Sequence, residues 1–177
     1  MSVLRRLVPF TVVFLAGIVT APLLLIAVAW SGSLPVDGLS TPSRWEARIG
    51  QTALQASLAR RTNGLKNPVL GSDRDLLVGM KHYRTDCAGC HGEASGPSPW
   101  GSRNFYPRVP QFAQHPPAFT IPEMFVAVKY GIRYSGMGGW DRIIPDGQIW
   151  EIVTFLSRLN SLPPPVERAW RAKRHRV

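Results

Sequence analysis

Cysteine is nearly missing from this chain of 177 residues, which has two, Cys87 and Cys90. A bridge between them would close almost no loop and stabilise little, so a disulfide-stapled fold is excluded. Acid is scarce as well, with 11 Asp and Glu against 21 Lys and Arg and a formal net charge of +10. The excess is unevenly placed. Residues 72–162 carry nine basic against eight acidic side chains, while residues 44–71 and 163–177 are each strongly basic. A near-neutral centre with basic flanks argues against a nucleic-acid face and for flanks that lie near an acidic surface. No internal repeat is present, and no segment alternates apolar with polar residues as a half-buried strand must. The remaining fold class is all-α.

One thing the chain has in length is an apolar run near its start. From Leu7 to Trp30 no residue is charged, which is enough to cross a hydrocarbon core needing about 20 residues. Arg5 and Arg6 precede it, so the positive-inside rule leaves residues 1–31 as a cytoplasmic N-terminus plus transmembrane anchor. Ala27-Val28-Ala29 has the small-x-small form of a signal-peptidase site, but signal cores run only about 7–15 residues, so a retained anchor is the better reading. Either way the remainder is exported.

Beyond the anchor, residues 32–71 read as a linker holding an amphipathic helix at 43–61, with Ser43 as its cap and Trp45, Ile49, Ala53 and Leu54 at helical spacing. The compact part spans residues 72–162. Ser72-Asp73-Arg74-Asp75 has the form of a capping box, and Leu76, Gly79, Met80, Tyr83 and Cys87 then share one helical face. Residues 92–117 are rich in Gly and Pro and read as loop. Thr120-Ile121-Pro122-Glu123 opens a second helix, which Gly131 ends, and a third follows Asp146 with a stripe of Ile149, Ile152, Val153, Leu156 and Leu159. A basic tail occupies residues 163–177, with Trp170 offered to an anionic lipid or an acidic partner. Three helices and a loop of this length make a thin core, unless the loop wraps a large apolar cofactor.

The motif "DCAGCHG" at residues 86–92 names one. A thioredoxin-type pair needs a strand–helix setting, and tetrahedral zinc needs a second ligand pair; the chain has neither. Cys-x-x-Cys-His is the attachment signature of covalent haem: two thiols on one turn meet the porphyrin edge and the next residue brings its imidazole to the iron. The reading is therefore one haem c, with its iron, attached at Cys87 and Cys90 and ligated by His91. For the second axial position, Met80 lies on the same helix as Cys87 and Met124 reads as packing. Met137 sits in "GIRYSGMGGW", where Gly136, Gly138 and Gly139 let backbone approach a porphyrin. His115 is the rival ligand.

In the order Gly79, Tyr83, CAGCH, "GIRYSGMGGW" and "IWEIVTFLSRL", residues 72–162 resemble a class I monohaem c-type cytochrome. The resemblance implies cytochrome c-like helices wrapped around one covalent haem, thioether links at Cys87 and Cys90, His91 as proximal and Met137 as distal ligand, and a close crossing of the first and last helices at Gly79 and Phe155. Relatives usually read Gly-Met-Pro-Ala-Trp where this chain has Gly-Met-Gly-Gly-Trp, so a looser Met137 loop is expected. A carbonyl of the 97–107 loop is expected to accept the His91 ring N–H, and Trp100, Arg103, Tyr106, Arg108 and Trp140 are candidates for holding propionates.

With both axial positions filled by protein, the domain suits one-electron exchange rather than catalysis in its own right. Three functions fit: an electron carrier tethered at the periplasmic face of a bacterial cytoplasmic membrane, serving redox partner proteins; a fixed haem subunit of a respiratory oxidoreductase; and a haem sensor or peroxidase-like protein with a labile Met137.

Overall fold

The computed structural model describes residues 2–172, with side chains from residue 12 onward. The basic side chains beyond Ala172 lie outside the described residues. The chain divides into two units at Ser40 and Thr41.

The first unit holds α1 (Ser2–Trp30). Its stretch Val12–Trp30 is, among the described residues, the one helix long and apolar enough to cross a membrane, and none of it is buried. Val13, Leu25 and Trp30 along it are exposed.

The second unit is built from six helices and, among the described residues, no strand: α2 (Arg44–Arg61), α3 (Asp73–Asp86), α4 (Ala88–His91), α5 (Ile121–Tyr130), α6 (Asp146–Ser157) and α7 (Pro164–Arg171). Local chemistry starts the principal ones where the sequence indicates. Ser72 Oγ accepts from the Asp75 N–H while the Asp75 carboxylate accepts from the Ser72 N–H, a reciprocal cap that satisfies two donors at the head of α3. Glu123 does the same for α5, accepting from both the N–H and the hydroxyl of Thr120 at 2.8 Å. Gly131, at φ +71°, ends α5 in a conformation that a side chain would resist.

The core forms where α6 packs against α3 and α5. Leu76, Tyr83, Ile149, Ile152, Val153 and Phe155 are fully buried there. Phe125 of α5 stacks on Trp150 of α6 with centroids 3.9 Å apart. The crossing of α3 and α6 is close at Gly79, as the resemblance implies: a Cβ there would stand 2.1 Å from the Glu151 carbonyl oxygen and 3.1 Å from Phe155 Cβ.

Two segments outside residues 72–162 join the domain, the first as a helix where the sequence indicates one and the second against expectation. α2 does form, capped by Ser43, and it docks on α5 through buried Leu58 and half-buried Leu54. The prolines at 163–165 do not end the fold: Pro163 is the N-cap of α7, Pro164 and Pro165 form its first turn, and the helix lies against α3. Trp170 is therefore not presented to lipid or partner. It is buried edge-on against Tyr83 and Phe155, with centroids 5.8 and 5.3 Å away. The side chain of Arg84 holds it from above, donating to the Trp170 carbonyl at 2.6 Å with its guanidinium over the indole. The basic charge of this segment disguised a helix with two buried anchors, Val166 and Trp170, four residues apart.

Candidate cofactor site

α3 delivers the site. Its last turn ends as the Cys87 N–H bonds to Tyr83 O, and a single further turn, α4, carries Cys90 and His91, whose N–H groups both return to Cys87 O. Gly92 leaves that turn at φ +76°. Cys87, Cys90 and His91, three of the four residues predicted to hold the cofactor, therefore stand within five positions on one tight turn. Buried Ala88 and Tyr83 lie beneath them, the Tyr83 hydroxyl donating to Gly92 O at 2.7 Å.

The two thiols are free and half-buried. Burial, with the charges of Asp86 and Cys90 adding to it, pushes the Cys87 thiol up to about 12. A thiol so protonated is a poor redox nucleophile or thiolate ligand, whereas a thioether carries no charge and is at ease in the same surroundings. Among the described residues no cluster of three or more His, Cys, Asp and Glu could hold a metal by itself, so zinc lacks its ligands.

The imidazole of His91 is oriented from behind. Its Nδ1 lies 2.9 Å from the Pro110 carbonyl oxygen. A carbonyl only accepts, so Nδ1 carries the proton and Nε2 is left with its lone pair. Desolvation lowers the His91 pKa, against a smaller opposing effect of the bond to Pro110, and this favours the neutral ring an iron ligand requires. Phe112 stacks parallel to the imidazole at 4.5 Å. The acceptor was expected in the 97–107 loop; it lies three residues beyond, because the chain closes on the turn only after that loop has run its course.

That closure depends on a side chain that sequence reasoning did not single out. Gln111 is buried and makes three bonds: its Oε1 accepts from Ser98 N at 2.7 Å, and its Nε2 donates to Cys90 O at 3.0 Å and Val109 O at 2.9 Å. Buried Ser98 continues the clasp, donating to Gly89 O at 2.6 Å and accepting from Gly101 N at 2.9 Å. Gly101 fits so closely that a Cβ would stand 1.9 Å from Cys90 O. One amide side chain inside a Pro-rich loop carries no periodic or motif signal, and the fold alone reveals it.

Met137 lies on the second loop, between α5 and α6, half-buried and packed against the core. Bonds from Ile132 N to Met137 O (2.9 Å), from Met137 N to Ser135 Oγ (3.1 Å) and from Trp140 N to Lys129 O (3.0 Å) pin this loop to the end of α5. The glycine replacing the usual residue at 139 has a packing reason, since a Cβ there would stand 3.0 Å from the Tyr130 backbone. The two loops meet where Gly136 abuts the Phe105 ring. Met80 and Met124 are both core, as expected, and His115 is exposed. Of the propionate candidates, Arg108 donates to the carbonyls of Arg103 and Phe105, and Trp100 is largely exposed and edge-on to Phe105.

The residues present fit a covalent haem: paired free thiols, a proximal imidazole with its second nitrogen oriented from behind, and a thioether-bearing loop in contact with the loop that wraps the turn. Comparison with known proteins agrees. Residues 74–156, just under half of the chain, match the family model described as cytochrome c oxidase, cbb3-type, subunit III. No curated protein and no solved structure matches the chain.

Proposed function

We propose that this chain, whose residues 74–156 are a monohaem c-type cytochrome domain, moves single electrons at the periplasmic face of a bacterial cytoplasmic membrane, held there by Val12–Trp30. One haem c is bound through thioether links at Cys87 and Cys90, with His91 and Met137 as the two protein ligands of its iron. When bound, the haem supplies the redox couple; every other task belongs to the chain. Pro110 fixes the His91 tautomer and ring plane, which keeps the iron's proximal environment unchanged between oxidation states. Gln111 and Ser98 hold the carbonyls around the turn. The bonds at Met137 N and O hold the backbone of the 131–140 loop to the end of α5 and so limit where the Met137 sulfur can reach, and a thioether ligand would raise the reduction potential relative to a second imidazole. With His91 and Met137 as its two protein ligands, the iron would have no position left for substrate, which suits a carrier of electrons rather than a catalyst in its own right.

The observation that carries this reading is the bond from His91 to Pro110 within a Cys-x-x-Cys-His turn. A second reading is favoured by the family description, which is that of an oxidase subunit: the same haem as a fixed member of a respiratory oxidoreductase. The test is an absorption spectrum of the haem-loaded full chain, oxidised and reduced, with carbon monoxide added last. A low-spin spectrum with one haem per chain and no response to carbon monoxide is expected. High-spin iron, or rapid carbon monoxide binding, would replace the carrier with a sensor or peroxidase-like protein whose Met137 is labile. Size analysis after mild detergent extraction then separates the free carrier from the fixed subunit.

A further inference from the structure

α2 carries two apolar faces, and only one of them is used. Leu54 and Leu58 face α5 and anchor the helix to the domain. On the opposite side Trp45, Ile49, Ala53 and Ala56 recur at steps of four, four and three, which is one stripe of a 3.6-residue helix. All four are exposed, Trp45 by 71% and Ile49 by 66%. Arg44 and Arg48 border this stripe on one side, Arg60 continues its line one turn beyond Ala56, and Glu46, the one acid on the helix, lies at its other border; the Arg48 guanidinium lies over the Trp45 ring.

We infer that this outward face of α2 lies on an anionic lipid surface, with Trp45 and Ile49 in the interfacial region and Arg44, Arg48 and Arg60 among the headgroups. Three observations favour lipid over a protein partner. A Trp- and Ile-bearing stripe with arginines along one border and at its end is the pattern of a helix lying in a membrane interface. The stripe is one helix wide and mostly alanine beyond its first turn, far short of the roughly 800 Å² per partner that a stable protein interface buries. Only 13 residues, 31–43, separate Trp30 from Arg44; even fully extended they span at most about 45 Å, so the face never leaves the neighbourhood of the bilayer that Val12–Trp30 would cross. The inference rests on the anchoring proposed above.

The test uses the haem-loaded full chain in lipid nanodiscs, either neutral phosphatidylcholine or the same lipid mixed with anionic phosphatidylglycerol, with amide hydrogen exchange read by mass spectrometry. Peptides from residues 44–57 should exchange several-fold more slowly in anionic than in neutral discs, while α3 and α6 exchange equally in both. Raised salt should weaken the protection. The Arg44→Glu/Arg48→Glu variant, and separately Trp45→Ser/Ile49→Ser, should exchange in anionic discs at the neutral-disc rate. Both pairs are exposed, so the haem spectrum stays unchanged and reports that the domain is folded. Equal exchange in both lipids, in a chain that co-purifies with its discs, overturns the docking and leaves the anchor standing. A chain that does not co-purify with discs overturns the anchor and the docking with it. Protection that appears only when an isolated respiratory complex is added assigns the face to protein instead.

Discussion

Gly79 of α3 lies against the backbone of Glu151 in α6 so closely that no side chain fits between them: a Cβ would stand 2.1 Å from the Glu151 carbonyl oxygen and 2.7 Å from its carbon. Both atoms are helix backbone and cannot swing aside as a flexible side chain would. Gly79→Ala should therefore force the two principal helices apart and cost about 3 kcal/mol or more, at the upper end of overpacking effects. Denaturant unfolding of the haem-loaded protein checks this through the midpoint, and an unchanged midpoint would mean the crossing is looser than described.

The Gln111 clasp makes a different kind of prediction. Gln111→Glu keeps the size of the side chain and its acceptor toward Ser98, but it removes both donors to Cys90 O and Val109 O. Leaving such buried groups unpartnered costs about 1–3 kcal/mol each. Because Gln111 follows Pro110, the carbonyl that orients His91 should shift as well. The expected result is a changed midpoint potential together with an altered low-spin spectrum, in Gln111→Glu and more weakly in Ser98→Ala. A lowered unfolding midpoint with an unmoved potential would reduce Gln111 to a structural brace.

How much of this was legible beforehand depended on range. The Cys87–His91 turn and the capping residues Ser72 and Thr120 are local chemistry within four or five residues, and the structure places them as read. The crossing at Gly79 and Phe155 came from resemblance, since no single sequence shows that residues 76 apart must touch. The path of a Gly- and Pro-rich loop has no period to follow, so the carbonyl facing His91 was placed too early and Gln111 passed unnoticed. Charge misled at α7: arginines on its outer side concealed Val166 and Trp170 on its inner one.

Met137 is tested by replacement with two residues of opposite consequence. Met137→Ala removes the sulfur and should open the iron to carbon monoxide. Met137→His restores a sixth ligand, so carbon monoxide should be excluded again while the reduction potential falls, because imidazole favours the oxidised iron more than a thioether does. A Met137→Ala protein that stays low-spin and inert to carbon monoxide would place the distal ligand elsewhere.

Lys129 joins the end of α5 to the start of α6, bonding both carboxylate oxygens of Asp146 at 2.7 and 2.8 Å and lying 3.3 Å from Asp141. These bonds raise its pKa, Asp146 contributing most, against an opposing effect of burial. A raised folded-state pKa means the stabilisation is fully present below the ordinary value of 10.5 and is lost as pH rises through the higher folded value. The gap in melting temperature between the wild type and Lys129→Met should accordingly be constant around neutrality and close above pH 10.5. A gap that persists into strong alkali would assign the effect to packing rather than charge.

Trp170 decides whether the segment after residue 163 is part of the domain or an appendage. Its indole fills the space between Tyr83 and Phe155, and Arg84 fastens its carbonyl to α3. Trp170→Ala should leave a cavity beside the helix that bears Cys87 and destabilise the domain by about 3–5 kcal/mol. Trp170→Phe should recover much of that, because a ring still meets both aromatics. An appendage docking on lipid would behave in the opposite way, with the unfolding midpoint unmoved and vesicle binding reduced. Measuring both quantities on one pair of variants separates the two, and the buried geometry requires the loss to fall on stability.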